Sequence, residues 1–215
     1  MSPAPCTVGL TGGLASGKST AAEILERLGA EVFDCDAYVH ELYLPGGAGS
    51  FDVAYLFGEA VLDGEGGVDR GALAALVVGD DEARSRLEGA IHPLVRNGVE
   101  EWLATVGPHS VAVIEAALLV ETGAWRRYDL LSVIWCRPEQ QLDRALARGV
   151  PETRARGLLA AQLPMNEKRR MADVAIDNTG SRDDLDRAVE RAWREIQERC
   201  RERPQSTGPS SHSVW

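Results

Sequence analysis

Gly12-Gly13-Leu14-Ala15-Ser16-Gly17-Lys18-Ser19 fits the phosphate-loop pattern G-x-x-x-x-G-K-[ST] without a mismatch. The flanking residues supply the context that the pattern needs. Thr7-Val8-Gly9-Leu10-Thr11 reads as a short buried strand, and Thr20-Ala21-Ala22-Glu23-Ile24-Leu25-Glu26-Arg27-Leu28 as a helix that Gly29 ends. Between them, the glycines let backbone N–H groups turn inward around an anion. The helix start adds its own amides and the positive end of its dipole. Lys18 can reach β- and γ-phosphates, and Ser19 can offer a hydroxyl to Mg²⁺. Gly13, Leu14, Ala15, Ser16, Gly17, Lys18, Ser19 and Thr20 are therefore read as the binding set for a nucleoside triphosphate.

The same alternation of strand and helix continues along the chain. Apolar, β-rich runs at residues 7–11, 31–34, 110–115, 130–136 and 172–177 are separated by helical patterns. Such an order predicts a three-layer α/β/α fold with a five-stranded parallel sheet. Ile91, Leu94, Val95, Val99, Trp102 and Leu103 form one helical stripe, and Leu185, Val189, Trp193 and Ile196 another. Ser181, with Asp184 three residues on, opens the last helix as a capping box. No convincing core strand lies in the stretch from about 36 to 106, which reads as a helical excursion. One P-loop domain over residues 7–200 is expected, with its core at about 7–35, 107–137 and 171–200. Residues 138–170 are assigned to a helical lid, and 201–215, rich in Pro, Ser and Gly, to a disordered tail.

Composition removes several classes. A net charge of −10 and a pI near 4.9 argue against a nucleic-acid partner, whose phosphates attract basic surfaces. No apolar run approaches the ~20 residues of a membrane span. The start, Met1-Ser2-Pro3-Ala4-Pro5-Cys6, lacks the basic-then-apolar order of a signal peptide. A cytoplasmic protein without a membrane partner is expected. Cys6, Cys35, Cys136 and Cys200 are scattered without ligand-like spacing and read as reduced thiols. Cys35 is read as a small neighbour of the chemistry, not a nucleophile. The oligomeric state is not written in the sequence.

Further candidates lie where strands end. Asp34 and Asp36 close the run Glu31-Val32-Phe33-Asp34-Cys35-Asp36, and residues two apart on an extended chain face one side. Two carboxylates there can activate a hydroxyl or organise Mg²⁺; an Asp capping the next helix is the alternative. Arg144 and Arg148, four apart after Pro138, share a helix face that can close over phosphates or simply be solvated. Glu115 ends the run Val111-Ala112-Val113-Ile114, where P-loop proteins place an acid that assists Mg²⁺, here through water. An ordinary strand-end carboxylate is the other reading.

Taken together, the motifs resemble the dephospho-coenzyme A kinase family from about Val8 to Ala192. The loop is similar to the family's double-glycine version. Phe33-Asp34-Cys35-Asp36 looks like its Asp-Ala-Asp element, Ile91-His92-Pro93-Leu94-Val95-Arg96 like its His-Pro-x-Val-Arg element, and Leu118-Leu119-Val120-Glu121 like its Leu-Leu-x-Glu element. Gln141-Leu142-Asp143-Arg144-Ala145-Leu146-Ala147-Arg148 resembles its lid helix. Gln162-Leu163-Pro164, Lys168, Ala172-Asp173 and Ile176-Asp177-Asn178 follow its C-terminal order.

The resemblance implies ATP and Mg²⁺ as cofactors and dephospho-coenzyme A as the small-molecule partner. Phosphorylation of the ribose 3′-hydroxyl would give coenzyme A and ADP, the last step of coenzyme A synthesis. Under it, Asp34 is the candidate base, Lys18 and the loop amides hold ATP, and Ser19 ligates Mg²⁺. Arg144 and Arg148 stabilise the transferring phosphoryl group, while Asp177 and Asn178 lie near adenine. The helical excursion binds the acceptor, with Asp36, His92, Arg96 and Leu118 contacting or shaping its pocket. His92 before Pro93 at a helix start also has a structural reading, Glu121 that of an anchor for neighbouring helices, and Gln162 that of a contact to lid or nucleotide.

Three features depart from the family's pattern. Glu115-Ala116-Ala117 stands where an Asp and a Pro usually precede the double leucine. The lid segment from Arg148 to Gln162 is about one residue short. Leu158 occupies the place of an Arg four before Gln162, with Arg154 and Arg156 nearby. Another small-molecule P-loop kinase, for a nucleoside monophosphate or a sugar acid, is the alternative function, sharing loop and sheet. A GTPase-like switch would need an Asn-Lys-x-Asp motif, which is not found; a non-catalytic ATP-binding relative would not need Lys18, Ser19, Asp34 and Arg144 intact.

Overall fold

The computed structural model describes residues 4–203. In chain order the elements are β1 (Cys6–Gly12), α1 (Lys18–Arg27), β2 (Glu31–Asp34), α2 (Cys35–Leu42), α3 (Ala48–Phe57), α4 (Arg70–Val77), α5 (Asp81–Leu103), β3 (Val111–Glu115), β4 (Leu130–Trp135), α6 (Pro138–Ala147), α7 (Glu152–Ala160), α8 (Met165–Met171), β5 (Val174–Asp177) and α9 (Arg182–Glu202). The chain divides into two compact units, one made of residues up to Phe33 and from Val106 onward, the other of Asp34–Thr105.

The first unit holds a five-stranded sheet in the order β2-β3-β1-β4-β5. β1 runs parallel to β3 and β4, and β4 parallel to β5. After β1 the chain crosses to one side of the sheet, and after β3 to the other. The carboxyl end of β1 is therefore a topological switch point, where open α/β sheets bind ligands.

Alternation along the strands builds two apolar layers. In β4, Ile134 joins a core with Val8, Leu10, Val113 and Ile176, covered by Ile24 and Leu25 of α1 and Val189, Trp193 and Ile196 of α9. Leu131 and Val133 point the other way, into a cluster with Val120 and Met165 of α8. The capping box expected at the last helix is present, with Ser181 and Asp184 bonding each other's backbone N–H. That helix runs through Glu202, past the tail boundary expected at 201, and residues 204–215 of that tail lie outside the described residues.

The cysteine reading needs correction. Cys6 and Cys200 form a disulfide, their Cα atoms 5.8 Å apart, whereas Cys35 and Cys136 are buried outside any disulfide. The start of β1 and the end of α9 meet in the fold across a sequence separation of 194, so spacing along the chain could not reveal the pair. Asp129 reinforces the same corner, accepting from the Thr7 backbone and hydroxyl and pairing with Arg203.

The second unit is helical around its own core of Val53, Val61, Val68, Leu73 and Ile91. Its longest helix, α5, begins at Asp81 under an Asp80 cap and passes through Pro93. His92-Pro93 therefore sits mid-helix and not at a helix start. The apolar stripe that set the expected start is absent from the exposed first turns; the signal there was Asp80 followed by Asp81 and Glu82, acids at a helix N-terminus.

Candidate active site

The phosphate loop joins β1 to α1 in an uncommon backbone path. Ala15 lies at φ 52° and Gly17 at φ 98°. A left-handed conformation is strained for a non-glycine residue and persists only where the surroundings enforce it. Those surroundings are side chains from the far half of the chain. Gln141 Nε2 donates to the Leu14 carbonyl at 2.8 Å, Gln162 Oε1 accepts the Leu14 N–H at 2.9 Å, and Asn178 Nδ2 donates to the Ser16 carbonyl at 2.7 Å. Lys168 Nζ lies 3.4 Å from the Gly12 carbonyl. The fit is close enough that a Cβ on Gly13 would collide with Gln141 and Met165, and one on Gly17 with Asn178.

Lys18 and Ser19, the first two residues of α1, converge on one carboxylate. Glu115 Oε1 lies 2.8 Å from Lys18 Nζ and accepts the Ser19 hydroxyl at 2.9 Å. Glu115 ends β3 opposite Leu10 and is 2% exposed; a carboxylate so buried requires partners of this kind. A hydroxyl and a carboxylate side by side are hard oxygen donors, the kind that Mg²⁺ takes in small number together with phosphates and waters. The residues present thus fit that ion.

Arg144 connects to the same network. Its Nη2 donates to the Asn178 carbonyl at 2.9 Å, while Nη1 is buried with no hydrogen-bond partner among the described residues. A buried guanidinium donor left unused is expensive unless something accepts from it. Burial pushes the Cys136 thiol up from its ordinary pKa; the adjacent Arg144 guanidinium opposes this, and Asp177 adds to it.

The other expected residues fall as follows. Arg148 is exposed and caps the end of α6. Asp177 is exposed at the end of β5, its Oδ1 accepting the Thr179 N–H at 2.8 Å. Asn178, expected beside adenine, has its amide engaged with the loop. Leu118 is 42% exposed after β3. In the helical unit, Asp34 caps α2, its Oδ1 accepting from the Asp36 and Ala37 backbones at 2.8 and 3.0 Å. Asp36 lies in the first turn of that helix. The extended pairing of the two carboxylates is therefore corrected, because the helix starts at Cys35. His92 is exposed, and Arg96, four residues on, half-buried.

Lys168 and Glu121 form a further pair at 2.7 Å, with Lys168 fully buried; Glu121 also accepts the Leu163 N–H. Glu121 thus does anchor neighbouring segments. Neither the loop contacts of Gln141 nor the burial of Lys168 leaves a signal in local sequence. Leu158 is exposed on α7, where Arg156 pairs with Glu152 one turn earlier.

The chain is similar to known proteins along most of its length. The profile of the dephospho-CoA kinase family matches residues 6–184. A dephospho-CoA kinase from Geobacter sulfurreducens is 43% identical over 189 residues, covering 86% of this chain and 96% of its own. A solved structure from Thermus thermophilus superposes with a TM-score of 0.78 at 34% identity, covering 89% of this chain and 98% of that one. Dephospho-CoA kinase from Campylobacter jejuni follows at 0.67 and 27%, covering 89% and 97%. With the loop, its buried acid and the sheet order already in place, these matches lead to one conclusion: the chain belongs to the dephospho-CoA kinase family.

Proposed function

We infer that this chain is a dephospho-coenzyme A kinase, moving the γ-phosphoryl group of ATP to the 3′-hydroxyl of the acceptor's ribose and releasing coenzyme A and ADP. The observation that carries the reading is the convergence of Lys18 and Ser19 on buried Glu115 in a chain of this family. Phosphoryl transfer depends on positioning and charge neutralisation more than on covalent chemistry.

Each residue then has a task. The loop amides and the start of α1 hold the β- and γ-phosphates, with Lys18 as their counter-charge. The spare Nη1 of Arg144 stabilises negative charge on the phosphoryl group in transfer. Asp34 orients the acceptor hydroxyl and takes its proton; its Oδ1 carries both capping bonds to α2. His92, Arg96, Asp36 and Leu118 belong to acceptor recognition, and Arg148, Asp177 and Asn178 to the nucleotide side. Ser19 and Glu115 would hold Mg²⁺, which neutralises phosphate charge when bound. A cytoplasmic setting for the reaction is part of this proposal. Among the described residues no helix is long and apolar enough to cross a membrane.

ADP release from the purified protein with Mg-ATP, with and without dephospho-coenzyme A, tests the reading. Acceptor-dependent release with coenzyme A as co-product is expected. Release driven instead by a nucleoside monophosphate or a sugar acid would replace the acceptor. Asp34→Asn keeps a good helix cap, so it should lower kcat by about 10²–10⁴-fold while ATP affinity holds. Equal losses in both would make Asp34 structural.

A further inference from the structure

Lys168 has no assigned task in the chemistry, yet it is fully buried. A buried ammonium is tolerated only when paired and hydrogen-bonded. Its three N–H donors meet three acceptors: Glu121 Oε1 at 2.7 Å, the Ala117 carbonyl at 3.2 Å and the Gly12 carbonyl at 3.4 Å. The acceptors lie on two segments, the end of β1 and the connection that follows β3. Gly12 is the last residue of β1 and the first of the phosphate loop. Ala117 follows β3 two residues after Glu115, and its carbonyl also accepts the Thr11 hydroxyl at 3.0 Å. Glu121 accepts the Leu163 N–H at 3.0 Å, just ahead of α8. The second oxygen of Glu121 is buried without a hydrogen-bond partner among the described residues.

We propose that Lys168 is a positioning residue for ATP, fixing the first peptide of the phosphate loop to the segment after β3 and to helix α8. The loop is held from above by Gln141, Gln162 and Asn178; Lys168 holds it at its root. A shift of Gly12 displaces every amide that follows, and a misplacement of about 1 Å remote from the reacting atoms can depress turnover about 10²-fold. The alternative is that Lys168 serves only to neutralise Glu121 in the core.

The inference rests on the kinase reading for its turnover measurement, but not for its binding measurement. Lys168→Met removes the donors at similar volume and leaves Glu121 uncompensated, so it should lower Tm and can fail to fold. The double variant Lys168→Met with Glu121→Met removes both charges, a change that buried ion pairs often tolerate. Mg-ATP affinity by calorimetry, Tm, kcat and the KM for dephospho-coenzyme A are measured on wild type and both variants. The expected result is a folded double variant with Tm near wild type, Mg-ATP binding weakened about tenfold, lower kcat and an unchanged acceptor KM. A double variant with wild-type ATP affinity and kcat overturns the proposal, as does a folded single variant whose only defect is Tm. If wild type releases no ADP with dephospho-coenzyme A, the kinase reading falls, and the ATP affinities still decide the role of Lys168.

Discussion

The phosphate loop and helix α7 are held in opposite ways. Leu14 and Ser16 are fixed by Gln141, Gln162 and Asn178 across separations of 127 to 162 residues. α7 has an ion pair within its own turns, Arg156 to Glu152, and leaves Leu158 41% exposed. The loop's strained backbone is thus enforced by the whole sheet unit, whereas α7 is a helix stabilised locally. Exposed i,i+4 pairs contribute only about 0.3–0.5 kcal/mol, so α7 relies on its backbone and on the buried Ala155 that packs it against α6. A binding loop must be pre-organised; a segment that changes position in a reaction cycle must be cheap to move.

Several changes would break or sharpen this contrast. Lys18→Ala should have the largest effect, lowering kcat by about 10²–10³-fold or more with the fold retained; normal turnover in a coupled ADP assay would refute the loop's role. Asn178→Ala should act on loop geometry alone. ATP affinity should weaken about tenfold from one lost buried contact, with the acceptor KM unmoved, which a titration of each substrate separates. In α7, Leu158→Arg restores the residue that the family resemblance expects. It should shift Tm by less than about 2 °C and raise kcat by about two- to tenfold; an unchanged kcat would mean that this position does not reach the phosphates.

The smallest effect is electrostatic. Asp184 is lowered from 3.8 to about 2, first by the Ser181 hydroxyl, then by the Ser181 backbone N–H and by Arg187. A depressed carboxylate contributes stability that is present above its unfolded pKa and lost as pH falls through the folded one. The start of α9 should therefore hold down to about pH 4 and loosen toward pH 2. The difference in circular dichroism between wild type and Asp184→Asn over that range checks it.

Sequence made the sheet legible because each strand is a short apolar run between turns, and the parallel order follows from the helices between them. Lys18, Ser19 and Glu115 were legible for a similar reason, being tied to the ends of recognisable elements. Gln141 and Lys168 were not, since their partners lie 127 and 156 residues away. Both stood in the motif order of the family resemblance, but their burial and their partners follow only from the fold. The Asp34–Asp36 geometry failed on a boundary: one residue decides whether two carboxylates share a strand face or a helix turn. The Cys6–Cys200 pair escaped because it depends on where α9 ends relative to β1.

That bond also changes what kind of polymer the protein is. With Cys6 joined to Cys200, the backbone between them is a covalent ring. One cleavage of the exposed Gly64–Gly66 turn would open the ring without releasing a fragment. The two pieces would stay covalently joined until reduction, so a nicked protein would weigh only one water more than the intact one until a thiol is added.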